Sequence, residues 1–229
     1  MNNQANKQAS KNTLLTKIIF AILLALIILT LVLKTQQTNT QQTVIDKNTY
    51  IEFPDRKPLP IVTLAQADTD GFSTSKIKGK WHILYFGYTF CPDICPLELT
   101  VLQQMMEILR KDIATSDLPQ ILFISIDPER DKPEQVKKYV AAFDSSFMGL
   151  TGKQDALTAL ASPFGIAWMK DAVPSTQESK DNNFYTVSHS TTLLLVNPDS
   201  KVAGMFPAPH SAKAMAQAYK NSIKKEKVY

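Results

Sequence analysis

Beyond residue 48, three short stretches of this chain are almost continuously apolar: Trp81-His-Ile-Leu-Tyr-Phe86, Gln120-Ile-Leu-Phe-Ile-Ser-Ile126 and residues 191–196. Short apolar runs without alternation are the pattern of strands covered on both faces, as in a parallel sheet. Ile61-Val-Thr-Leu64 predicts an earlier strand, with Asp70-Gly71 a turn, and Met148-Gly-Leu-Thr151 a later one. Asn197-Pro-Asp-Ser200 turns the chain from the 191–196 strand into Lys201–Phe206, which predicts a hairpin. Between the strands the period changes. Leu97, Val101, Met105 and Ile108 recur at helical spacing, so a helix is expected over 97–111 with Pro96 at its first position. Asp131 with Glu134, and Thr151 with Gln154, have capping-box spacing and predict helices running to about Phe143 and Pro163. A last helix is expected over 211–225. Strands alternating with helices, then a hairpin and a helix, predict an α/β fold in which helices flank a mixed sheet.

The first 48 residues follow other rules. Residues 18–33 contain no charge, and Leu14 and Leu15 lengthen the apolar reach toward the roughly 20 residues that cross a bilayer. No small-x-small cleavage pattern follows; Lys34 and a Gln-, Thr- and Asn-rich run do. The reading is an uncleaved anchor rather than a signal peptide. The expected organisation is a cytoplasmic tail (1–17), a transmembrane anchor (18–34), a flexible linker (35–48) and one domain (49–229). Lys7, Lys11 and Lys17 place the tail in the cytoplasm. With no Arg-rich transit segment, a bacterial inner membrane with a periplasmic domain is expected. The net charge of +4 sits at the ends: residues 1–17 carry +3 and 210–229 carry +4, leaving −3 over the 192 residues between. No nucleic-acid partner is supported by that distribution. The lysines from Lys220 to Lys227 read as a solvated helix end.

The candidate chemistry sits between the first buried strand and the helix after it. The chain has two cysteines, Cys91 and Cys95, each followed by proline. A helix start stabilises thiolates through its unpaired N–H groups and dipole. Four residues apart, the sulfurs fall on one side of a helical turn. They can close a disulfide or share a soft metal ion; two inert buried cysteines are the alternative. Two cysteines are too few for a closed structural zinc site. A strand–Cys pair–helix junction in an α/β sandwich predicts a thioredoxin-like fold, although three residues separate the cysteines where the common redox motif has two. Of the three histidines, His82 lies inside the first buried strand and reads as a core or edge residue. His210 heads the last helix and reads as a cap or surface group. His189 stands between two strand-like runs. Met105 and Met106 read as helix core or surface, Asp93 as a loop carboxylate, and Asp127 and Asp131 as strand-ending and helix-capping groups.

Taken together, Phe86-Gly-Tyr-Thr-Phe-Cys-Pro-Asp-Ile-Cys-Pro96, Ser125-Ile-Asp-Pro-Glu-Arg-Asp131, Leu150-Thr-Gly152, Tyr185–Ser190 and Val196–Asp199 resemble the Sco/SenC family, in order, over about residues 60–206. The resemblance implies a thioredoxin-like fold, a membrane anchor and copper delivery to the dinuclear copper site of cytochrome c oxidase subunit II. It implies copper ligation by Cys91, Cys95 and His189, with an upstream copper donor and a thiol reductant as further partners. Where the family usually has Asp before this histidine, the chain has Ser188. A carboxylate there would orient the imidazole and raise its basicity, so the departure bears on copper affinity and redox tuning rather than on ligation. Soft thiolates select monovalent copper, and imidazole accepts either oxidation state. Three other functions compete with delivery. One is a thiol-disulfide oxidoreductase that keeps the oxidase cysteines reduced, with Cys91 and Cys95 as its redox-active pair. Another is a copper-responsive sensor. The third is a thiol peroxidase, which Tyr88 disfavours because such enzymes place Thr or Ser three residues before the reactive cysteine.

Overall fold

A computed structural model describes residues 17, 22–32, 49–172 and 185–226. The predicted linker 35–48 and nearly all of the predicted tail lie outside these residues, and the predicted anchor is described only over 22–32. The chain divides into two units, Met1–Ile45 and Asp46–Tyr229. In the first, residues 22–32 are helical with exposed apolar side chains. Among the described residues no helix is long and apolar enough to cross a membrane.

The second unit is organised around the apolar runs. Trp81–Phe86 becomes strand β4 (His82–Gly87), all six residues buried. The run after Pro119 becomes β5 (Gln120–Ser125), and residues 191–196 supply β9 (Leu193–Val196). β4 pairs in parallel with β5 and antiparallel with β9, a central position in which side chains on both faces are buried, and this accounts for its apolar run. With β1 (Ile51–Glu52), β6 (Met148–Leu150) and β10 (Val202–Phe206), they form a six-stranded sheet in the order β1-β10-β9-β4-β5-β6. Two hairpins stand apart from it: β2 (Thr63–Leu64) with β3 (Phe72–Ser73), and β7 (Trp168–Ala172) with β8 (Tyr185–His189). Helices α1 (Ile94–Asp112), α2 (Pro133–Ala141), α3 (Gln154–Ala161) and α4 (Ala212–Glu226) complete the unit. α1 packs on α4, and α2 on β6. This βαβ unit followed by an antiparallel hairpin and a helix is the thioredoxin-like mixed α/β fold that the sequence predicts.

Ile83–Phe86, Leu122–Ile124 and Leu193–Val196 together form the centre of the core. Each fully buried aliphatic there contributes roughly 1.5–3 kcal/mol through removal from water. Three local expectations are corrected. The buried stripe of α1 is Cys95, Leu99, Leu102, Met105, Met106 and Leu109, while Leu97 is exposed. A second apolar series at helical spacing faces the sheet because it continues from the buried Cys95. Neither predicted capping box forms: α2 is preceded by Lys132 with Pro133 in its first turn, α3 by Lys153, and no side chain caps either. Asp131 is engaged by more distant partners, and Thr151 extends the sheet by bridging to Ala65.

Candidate metal centre

β4 ends at Gly87, a position that must lack a side chain. A Cβ there would lie 2.9 Å from the Cys95 sulfur and 2.8 Å from Phe123 Cε2. The sulfur of Cys95 thus sits directly against the strand, fully buried. Tyr88–Phe90 turn the chain, and the Cys91 N–H donates to the Tyr88 carbonyl at 3.3 Å. Asp93 precedes α1 without capping it by its side chain, so Cys95 lies in the first turn of the helix and Cys91 just before it. The Cys95 N–H donates to the Cys91 sulfur at 3.4 Å. Both cysteines are free, Cys91 half-buried and Cys95 buried.

The third group arrives from another part of the chain. β8 lays His189 over the sulfurs, with Nε2 3.5 Å from Cys95 Sγ. His189 Nδ1 is 2.9 Å from the Ser190 carbonyl, an acceptor only, so Nδ1 carries the hydrogen and Nε2 turns its lone pair toward the thiols. The two sulfurs and an imidazole nitrogen lie within 4.8 Å of one another. Donors bonded at about 2.0–2.3 Å to one ion stand roughly 3.5–4 Å apart, so a small closure would bring all three onto one metal.

The two thiols are electrostatically unequal. The hydrogen bond from the Cys95 thiol is the chief influence that lowers the Cys91 pKa, and it prevails over burial. The N–H groups of Cys95 and Asp93 lower it further. Cys95 moves the opposite way, because its proton makes that bond and its sulfur is buried. Of the two, Cys91 is therefore the more readily deprotonated sulfur, the one suited to act first as nucleophile or soft ligand.

A polar layer lies behind the sulfurs, in the loop that the family resemblance puts near the copper site, with hydrogen-bond partners that the sequence does not disclose. Asp131, fully buried, accepts from the Thr89 N–H at 2.8 Å, the Thr89 hydroxyl at 2.6 Å and the Ser125 hydroxyl at 2.5 Å. Instead of capping α2, it pins the turn that leads into Cys91. Asp127, also fully buried, accepts from Arg130 Nε at 2.5 Å and the Tyr185 hydroxyl at 2.5 Å. Arg130 Nη1 donates to the Tyr185 carbonyl at 2.9 Å, and the Val187 N–H donates to the Tyr88 hydroxyl at 3.3 Å. The available signal was positional. In open α/β sheets, groups beyond the carboxyl ends of neighbouring strands share one site, and the 88–91 and 127–131 loops follow β4 and β5.

The remaining candidates fall elsewhere. His82 is buried at the other end of β4, with Nδ1 2.9 Å from the Lys80 carbonyl, and burial lowers its pKa to about 4. His210 is neither a surface group nor a helix cap. It is enclosed, with Nδ1 2.5 Å from the Glu98 carboxylate and Nε2 2.9 Å from the Phe206 carbonyl. Met105 and Met106 are in the core. The Ser188 hydroxyl donates to the Asp171 carboxylate on β7, not to the imidazole.

A model of the family described as SCO1/SenC matches residues 62–224. A putative copper-binding protein of Stutzerimonas stutzeri is 36% identical over 169 residues, 74% of this chain and 78% of that protein. The mitochondrial SCO1 homolog 1 of Arabidopsis thaliana is 32% identical over 162 residues, 71% of this chain; the chain spans 46% of that relative's length. The crystal structure of Arabidopsis thaliana ScoI with copper bound superimposes with a TM-score of 0.65 at 29% identity, covering 73% of this chain and 98% of that one.

Proposed function

This chain belongs to the SCO1/SenC family, and we propose that it is a copper metallochaperone that loads the dinuclear copper site of cytochrome c oxidase subunit II during assembly. The observation that carries the reading is the convergence of Cys91, Cys95 and His189 on one point. Two thiolates and one imidazole make a soft, low-coordinate set suited to Cu(I), and they leave room for an incoming ligand. Transfer proceeds by exchange: an acceptor thiolate bonds the copper as Cys91, the more exposed sulfur, lets go. A copper-binding bacterial relative and a copper-bound plant structure support the choice of metal. That Sco proteins form a family of cytochrome c oxidase assembly proteins supports the acceptor. The apolar run 18–33 would anchor the chain in a bacterial inner membrane, with the domain on the periplasmic side.

Titration of the purified full chain with Cu(I) should reach one copper per chain, and His189→Ala should weaken binding about tenfold or more, the scale of losing one orienting contact or ligand. The loaded protein should then surrender its copper to apo subunit II. Absence of stoichiometric copper binding by the wild-type chain would overturn the reading. Copper binding without transfer would favour a sensor.

The unequal thiols favour a second activity on the same pair. The Cys91 thiolate attacks a disulfide of the oxidase subunit, forming a mixed disulfide and releasing one thiolate. Cys95 then loses its proton and attacks Cys91, releasing the second. Two electrons leave the pair, which ends as a disulfide. Alkylation at neutral pH should mark Cys91 ahead of Cys95, and reduction of the subunit should survive His189→Ala; loss of reduction in that variant would remove this second role.

A further inference from the structure

The hairpin that carries His189 lies outside the six-stranded sheet, so ladder hydrogen bonds to the sheet do not hold it in place. Alternation along β8 puts Tyr185, Val187 and His189 on the same side, facing the body of the domain. The first two are each tied down. Val187 is buried and bonded through its N–H to Tyr88. Tyr185 is held at three points by the loop after β5: its carbonyl by Arg130 Nη1, its hydroxyl by Asp127, and its ring by the Arg130 guanidinium 3.6 Å from the centroid. The same guanidinium lies 4.9 Å from the Phe90 ring and 5.7 Å from that of Tyr88, both in the loop leading into Cys91. Arg130 thus touches the strand bearing the imidazole, the loop leading into the thiols and Asp127 in the loop after β5, with its side chain only 10% exposed.

We propose that Arg130 is the positioning residue of the copper site, clamping β8 against Asp127 and the cysteine loop so that His189 Nε2 meets the two sulfurs. The inference rests on the copper reading. Its physical basis is the shape of the guanidinium: one planar, permanently charged group donates in two directions and stacks on rings at the same time, which no other side chain does. Asp127, with no solvent exposure, keeps the fork from swinging away. A metal–nitrogen bond tolerates only tenths of an ångström, and the imidazole is four residues, roughly 13 Å of strand, from the clamped Tyr185. Lysine cannot substitute, because an ammonium has no plane to stack and no fork.

The test compares Arg130→Ala, Arg130→Lys, His189→Ala and the double variant Arg130→Ala/His189→Ala, all in the full chain. Two measurements are needed: Cu(I) affinity by chelator competition, and nitrogen coordination by electron paramagnetic resonance of the Cu(II) form. Arg130→Ala should lose the nitrogen coupling and bind copper about 10–100-fold more weakly, the scale of losing an orienting contact. Arg130→Lys should not rescue it. The double variant should be no weaker than His189→Ala, since both changes remove the same ligand. Retained nitrogen coupling with affinity within about twofold of wild type, or additive losses in the double variant, would overturn the clamp. If Arg130→Ala fails to fold, Arg130→Lys decides alone: wild-type coupling and affinity in it overturn the proposal. A wild-type chain lacking nitrogen coupling would instead sink the copper reading itself, so the two failures are distinguishable.

Discussion

Replacing Gly87 by alanine tests how closely the Cys95 sulfur is packed against the central strand. Gly87 does not have a positive φ, so alanine meets no backbone strain there. By itself such a change would stabilise the domain by about 0.4–1 kcal/mol, through the reduced freedom of the unfolded chain. The packing term has the opposite sign. The new methyl would stand 2.8 Å from Phe123 Cε2 and 2.9 Å from Cys95 Sγ, where relaxed contacts need about 3.5–4.0 Å. Phe123 is fully buried between strands and Cys95 is locked in the first turn of α1, so neither can retreat freely. Forcing a methyl into such a site costs about 1–3 kcal/mol. The expected balance is a net loss of about 1–2 kcal/mol. It should appear in urea unfolding followed by the fluorescence of Trp81 and Trp168, the two tryptophans of the chain. The relief available is a shift of Cys95 by several tenths of an ångström, which would disturb its 3.5 Å approach to His189 Nε2 and weaken copper binding in parallel. Unchanged or increased stability, together with wild-type copper affinity, would refute the close packing of thiol on strand from which the site is derived.

Two further predictions concern pH. Burial lowers the pKa of His82 from 6.5 to about 4, so between those values the unfolded chain holds a proton that the folded one lacks. Stability should therefore fall as pH drops from about 6.5 to 4, by about 3 kcal/mol in all, and His82→Asn should flatten that acid limb; equal slopes in the two proteins would exclude His82 as its source. His210 shifts the other way. Burial opposes its charge, but the Glu98 carboxylate and the Phe206 carbonyl outweigh that and raise its pKa above 6.5. Its contribution is fully present below pH 6.5 and is lost as pH rises through the raised value. His210→Ala, which leaves Glu98 without its cation, should cost about 3–5 kcal/mol at pH 6 and less at high pH, as urea midpoints across the range would report; a pH-independent loss would contradict an ionic pairing.

What the sequence disclosed and what it withheld divide along the range of the interactions involved. The three apolar runs become the three central strands because a strand buried on both faces must be apolar at nearly every position, whatever its neighbours are. The placement of the sulfurs at a helix start is equally local, written in two prolines and a change of period. Hairpin β7–β8 is written nowhere so plainly: Trp168–Ala172 mixes apolar, basic and acidic residues, and Met169 and Lys170 are both exposed. Asp131 shows the limit most clearly. Its spacing to Glu134 matches a helix cap, yet its carboxylate serves Thr89, forty-two positions earlier, because two strong donors and the Ser125 hydroxyl wait there in a buried site. His210 is misjudged for the same reason, since its anion lies on α1, 112 positions away. His189 is legible only through the family resemblance that Tyr185–Ser190 carries, not through local spacing or composition; what brings it to the thiols is Tyr88, Asp127 and Arg130 acting on the strand that carries it. The part of the site that resists sequence reasoning is therefore the part on which metal geometry depends, and substitutions in the 127–131 loop should alter the site even though none of its residues faces the sulfurs as a ligand.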